Sequence, residues 1–286
     1  MGLWALAALA ESITVGIVRH VSDDLPPLQI AFMRMLCGLV ILTPWLINLG
    51  LSGLRTSVFH LHAVRSGLQV VAMAMWFAAV PMVQLVDVAA LNFLAPLFAT
   101  LGAFLLLGEK VGWRRGTALA VGFAGVLVVV RPGAGVLNVG ALLLVGSALC
   151  WAGGLLAIKK MAATEPSPRM TALSSLMITP CLLLPALWVW RDAGWIHWGL
   201  MMGAGLFGTA THLLMGQAFR HADASAVMPV DFTRMFWTTL IGWWAFGQMP
   251  GWQTWAGGTL IFAAALYVTW REAFLARQRR AAGGGP

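Results

Sequence analysis

The sequence predicts an all-α integral membrane protein of ten transmembrane helices, arranged as two five-helix repeats of inverted topology. Three observations predict it. Hydrophobic residues make up 60% of the 286 and charged residues 10%, against roughly 45–50% and 25% in a soluble globular chain. The apolar residues gather into ten runs, each long enough to cross a hydrocarbon core of about 30 Å as a helix. The stretch 86–131 also falls without a gap on 225–270 after a shift of 139 positions. Phe93 then lands on Phe232, Thr100 on Thr239, Leu101 on Leu240, Gly108 on Gly247, Gly112 on Gly251 and Trp113 on Trp252.

In chain order the runs cover residues 2–19, 29–49, 64–81, 86–107, 113–130, 138–160, 169–190, 196–217, 224–246 and 251–270. The first has no basic residue before Arg19 and reads as a membrane span rather than a cleaved leader. Runs four and five flank a short basic turn, GEKVGWRR, and runs nine and ten are their echo. Connections are short, with Gly, Pro, Asp and basic residues, and none has room for a soluble domain. The repeats are therefore bounded as 1–132 and 138–271, with 272–286 as a cytoplasmic tail, disordered after Gln278. Cys37, Cys150 and Cys181 lie inside apolar runs at no metal-ligand spacing and read as packing.

Loop charge sets the orientation. With the N-terminus inside, the inner connections and tail hold thirteen of the eighteen Lys and Arg. The outer connections hold Arg19, Arg131 and Arg191, while Arg34 and Arg234 fall within spans. Both termini are thus expected in the cytoplasm, with the chain in the inner membrane. The formal charge of +8 belongs to this topology signal rather than to a nucleic-acid surface. Trp45, Trp113, Trp188, Trp190, Trp195, Trp198, Trp252 and Trp270 stand near run ends, as an interfacial belt does. Five spans is an odd number, so the second repeat enters the membrane in the opposite sense. Such symmetry offers two conformations of similar energy, open to opposite sides, with a substrate site between the halves at mid-depth. Transport by alternating access is its natural use.

The ten-span plan resembles the drug/metabolite transporter superfamily. The stretch VDVAALNFLAPLFATLGAFLLLGEKVGWRRGTALAVGFAGVLVV resembles its EamA family, with a Pro-bearing small-residue helix, a Gly108-Glu109 turn and a glycine-bearing helix. The second half departs from that pattern, with Gly247-Gln248 for Gly-Glu and Met235 for Pro96. The resemblance implies a carrier of amino acids, related metabolites or drugs. Amino-acid exporters of the YddG type are the first comparison, so export is expected on resemblance alone.

The chemistry of such a protein rests on polar groups at membrane depth, where a charge costs about 2.5–3.5 kcal/mol on insertion scales. Asp231 and Arg234, three apart, share one face of span nine. They either neutralise each other or bind the two ends of a zwitterion, Arg234 taking the carboxylate through its planar fork. Glu11, near the centre of span one, is a candidate proton-coupling site or ammonium ligand, with an ion pair to Arg34 as the competing reading. Arg34 itself reads as structural, with room to snorkel outward. Asn92 occupies the repeat position of Asp231 and is a candidate for the same central site. His212 is a further candidate, against local satisfaction within its helix. Trp151, mid-span, suits a wall that stacks flat substrates, and Trp237 invites the same reading. No second His stands at ligand spacing, so neither a metal nor a cofactor is expected.

Catalytic signatures are missing: no zinc-protease helix, nucleophile elbow, P-loop or dinucleotide fingerprint occurs. The chain is therefore expected to be no enzyme. The sequence reading is a secondary transporter of small, mostly apolar metabolites, amino acids first, with the bilayer and the cargo as its partners. A multidrug or lipophilic-cation exporter dependent on Glu11 is the alternative. An intramembrane enzyme using Ser174 or Ser175 near His212 stands behind it. A homodimer is compatible with the sequence but not indicated by it.

Overall fold

The computed structural model describes residues 2–53, 56–107, 113–130, 138–161, 165, 167–221 and 233–282. Among them the secondary structure is helical, with no strand. Helix α1 (Gly2–Val21) presents a face of small side chains, Ala7, Ala8 and Ala10, to its neighbours. The hydroxyls of Ser12 and Thr14 donate back to the carbonyls of Ala8 and Ala10 at 2.8 and 3.0 Å, which satisfies them without water. Helix α2 (Pro27–Gly53) opens on a proline, whose missing N–H costs nothing in a first turn. Helix α3 (Phe59–Ala79) runs into a short 3-10 turn at Val80–Met82.

The fourth predicted span is not continuous. It divides into α4 (Leu85–Asn92) and α5 (Leu94–Leu107). Pro96 has no N–H to donate to the Asn92 carbonyl four residues back, so the ladder opens there. Phe93 instead donates its N–H to the Ala90 and Leu91 carbonyls. Helices α6 (Trp113–Val130) and α7 (Val139–Met161) follow. The side chain of Asn138 accepts the Ala141 N–H at 3.1 Å and caps α7.

Helices α8 (Ser167–Trp188) and α9 (Trp195–His221) precede α10 (Thr233–Phe246) and α11 (Trp252–Ala282). Gly247 ends α10 in the left-handed region, φ 62°, and returns its N–H to Trp243 at 3.0 Å. Helix α11 continues through Gln278 to Ala282, where the sequence predicts disorder. Gln, Arg and Ala in that stretch are strong helix formers and extend the preceding turn.

Among the described residues four helical stretches are long and apolar enough to span a membrane alone: 2–21, 27–44, 59–82 and 139–158. Large apolar side chains lie open on the outside, Leu184 at 74%, Ile47 at 73% and Leu105 at 67%. That surface suits lipid rather than water. The chain is a multi-pass membrane protein.

Helix α1 lies between α9 and α10; α2 packs on α9 and α8; α3 on α7 and α8. Helix α5 packs on α7, α4 on α10 and α11, and α6 on α11. Glycines set the closest crossings. A Cβ on Gly205 of α9 would come within 2.8 Å of the Gly38 nitrogen of α2. One on Gly125 of α6 would come within 2.7 Å of the Gly257 carbonyl of α11. Backbones approach this closely only through small residues.

Candidate functional site

Charged residues from four helices converge around His212. Gly205, Gly208 and His212 share the face of α9 that packs on α2. The Arg34 guanidinium lies over Gly208: a Cβ there would overlap its terminal nitrogen and stand 2.9 Å from Cζ. One turn on, His212 is exposed, yet the charges of Arg34, Glu11, Arg65 and Arg234 all bear on its ring. Its open side therefore faces the interior of the bundle. Glu11 and Arg34 are half-buried. Arg234 opens α10 against α1, and its carbonyl accepts from Ser12, the neighbour of Glu11, at 3.5 Å and from Thr238 at 2.7 Å. Among the described residues the cluster is three guanidiniums, one carboxylate and an imidazole. Its guanidiniums and imidazole can donate hydrogen bonds to an anionic or neutral polar group.

Trp237 stands one turn from Arg234, edge-on to Phe236, with its indole N–H buried and unpaired. Helix α3 adds a polar face that packs on α7 and α8. His62, Arg65, Ser66 and Gln69 recur at i, i+3, i+4 and i+7 and are all buried. Arg65 donates to the Met170 carbonyl at 3.1 Å, and Ser66 to the Met177 sulfur at 3.8 Å. Both His62 nitrogens, Arg65 Nε, Gln69 Oε1 and Ser174 Oγ of α8 have no partner. A buried unpaired polar group costs about 1–3 kcal/mol, so these groups await something.

Each end of the bundle is clasped. At the Arg19 end, Gln29 donates to the Arg191 carbonyl at 2.7 Å and accepts the Arg191 N–H at 2.8 Å, while His197 meets Asp24 at 3.1 Å. A cavity of about 570 Å³ opens at this end beside Arg19, Gln84, Asp87, Asn138 and Gln248. At the Glu165 end, Thr56 donates to Glu165 at 2.6 Å and Arg169 to its other oxygen at 3.3 Å. The Thr56 hydroxyl, with Arg169 beside it, holds the Glu165 carboxyl below the ordinary carboxylate range against the opposing effect of burial.

A carboxyl depressed on folding contributes stability above the ordinary carboxylate range, and loses it as pH falls through the depressed value. Acidification should therefore lower the melting temperature of the wild type in detergent more than that of Glu165→Gln. Equal losses would mean that ionisation of Glu165 does not hold this clasp.

Of the residues singled out in the sequence, Glu11, His212 and Arg234 come together across α1, α9 and α10, with Trp237 beside Arg234. Asp231 lies outside the described residues. Asn92 is half-buried at the last position of α4, where the ladder breaks. Trp151, half-buried on α7, sits against the α3 side of the bundle rather than the His212 cluster: it shares a face with Ser147, which donates to the Ala72 carbonyl at 2.8 Å. The residues that sequence reasoning misses are His62, Arg65, Ser66 and Gln69. His62 falls in the connection before the third apolar run and Arg65, Ser66 and Gln69 fall inside it, where hydropathy passes over them although their spacing marks one helical face.

The comparisons with known proteins agree with this architecture. The EamA-like transporter family matches residues 1–131 and again residues 138–270. A riboflavin transporter of Vibrio cholerae is 34% identical over 97% of this chain and 95% of its own. An S-adenosylmethionine uptake transporter of Rickettsia prowazekii is 24% identical over 94% of this chain and 92% of its own. The pseudopaline exporter CntI of Pseudomonas aeruginosa is 26% identical over 92% and 93%. One protein crystal structure, 17% identical, shares the fold with a TM-score of 0.64 over 96% of this chain and 97% of that one.

Proposed function

The chain belongs to the EamA-like transporter family, and from that premise we propose that it carries a neutral, flat, polar metabolite of the riboflavin class. The observation that carries this reading is the unpaired Trp237 N–H, which with the guanidiniums that bear on His212 makes a set of hydrogen-bond donors. Riboflavin is neutral and offers carbonyl and ring-nitrogen acceptors to donors such as the unpaired Trp237 N–H. The similarity to a riboflavin transporter over nearly the whole chain supports the same choice.

The transport cycle we propose is alternating access between inverted halves in the inner membrane, with both termini cytoplasmic. Packing supports the inversion. Exchanging the first five crossings with the second five turns the α3–α7 contact into α9–α1. It likewise turns α2–α9 into α8–α3 and α5–α7 into α10–α1. That the family model matches twice, once in each half, supports a duplicated unit. The absence of a nucleotide-binding motif leaves a gradient, or the cargo's own, as the drive. A neutral amino acid is the second reading, favoured by Glu11 and Arg234 flanking the α1–α10 contact, where they can hold the two ends of a zwitterion.

Purified protein in liposomes tests both readings with labelled riboflavin, competed by unlabelled riboflavin, phenylalanine and tetraphenylphosphonium. Saturable flux blocked by riboflavin alone is the expected result. Phenylalanine or cation flux without riboflavin flux would overturn the flavin assignment.

A further inference from the structure

The polar face of α3 is not explained by helix packing. His62, Arg65, Ser66 and Gln69 are exposed by 0%, 8%, 2% and 8%, and Ser174 opposite them by 5%. Five of their polar atoms are buried with no partner. A face serving packing alone would be apolar or would pair its polar groups, as Ser147 of α7 does with the Ala72 carbonyl of α3. The seam runs for about 10 Å at 1.5 Å per helical residue.

Its unpaired groups are mixed in kind. Arg65 Nε only donates and Gln69 Oε1 only accepts, whereas the His62 ring and the Ser174 hydroxyl each do both. A row of hydroxyls, every one both donor and acceptor, is the ligand chemistry that satisfies all of them. An aromatic platform adjoins the seam. Trp151 shares its α7 face with Gly154, where a Cβ would stand 3.8 Å from Gln69 Cγ. Arg65, within the seam, is also one of the charges bearing on His212.

We propose that His62, Arg65, Gln69 and Ser174 form a subsite for a polyhydroxylated chain on the cargo. This rests on the flavin reading above and deepens it: the ribityl chain enters between α3 and α8 as those helices part.

The test compares riboflavin with lumiflavin, which keeps the ring and replaces the ribityl chain with a methyl group. Flux of each is measured in liposomes for the wild type, Gln69→Leu and Ser174→Ala. Both substitutions should raise the KM for riboflavin about tenfold and leave that for lumiflavin within twofold. Equal shifts for the two flavins, or none, would overturn the subsite. Wild type that carries both flavins equally well would do the same while leaving the flavin reading intact. Wild type that carries neither flavin would remove the flavin reading and the subsite with it. If Gln69→Leu fails to insert, Ser174→Ala, which deletes a single oxygen, decides.

Discussion

Replacing Glu11 with alanine should reduce riboflavin flux by more than an order of magnitude and lower the melting temperature in detergent. Glu11 is the one carboxylate among the described charges that bear on His212, and its charge also acts on Arg34. Its removal takes that negative charge away from the Arg34 guanidinium. Breaking a fully buried pair costs about 3–5 kcal/mol, and this half-buried one costs a fraction of that. A second substitution separates stability from function. Arg34→Met in the Glu11→Ala background withdraws the guanidinium on which Glu11 acts, so it should recover much of the melting temperature while flux stays low. Full flux in the single variant would show that the carboxylate neither balances the cluster nor meets the cargo.

The largest loss of stability without any change of charge is expected from Gly257→Ala. A Cβ at Gly257 would stand 2.6 Å from both the Gly125 carbonyl and Val129 Cγ2, and 3.1 Å from the Val129 nitrogen. Two of those atoms are backbone and cannot swing aside, so α6 and α11 must separate. Overpacking of this kind costs about 1–3 kcal/mol. Gly67→Ala, whose Cβ meets nothing within 4 Å, is the matched control. Tryptophan fluorescence melts of the two variants should therefore diverge. Matched melting temperatures would mean that the α6–α11 crossing relaxes at no cost.

What the sequence reveals follows from which constraints are local. Lipid demands unbroken apolar runs, so α1, α2 and α7 are legible as spans from hydropathy alone. The break at Asn92–Phe93 is legible in principle, since Pro96 removes one rung of the ladder, yet a hydropathy run passes straight through it. Polar content misleads at the start of α3, where His62 falls in a connection but lies buried on a helical face. The meeting of Glu11, Arg34, His212 and Arg234 is set by how α1, α2, α9 and α10 cross. Spacing along one helix holds no information about that. Arg34 shows this most clearly: a snorkelling side chain by position, it is held inside by the bare backbone of Gly208. Trp237 is legible as a candidate, although only packing reveals that its N–H lacks a partner.

The two clasps are built from different bonds, and that difference bears on their response to ionic strength. Gln29 grips the Arg191 backbone through two hydrogen bonds between neutral groups, and the nearby Asp24–His197 contact is largely open to water. The opposite clasp gathers Thr56 and Arg169 on the buried carboxylate of Glu165. Hydrogen bonds to an ionised group are roughly twice as strong as neutral ones. The Glu165 clasp therefore depends on the charge of one carboxylate and weakens with added salt, whereas the Gln29 clasp, made between neutral groups, is indifferent to it.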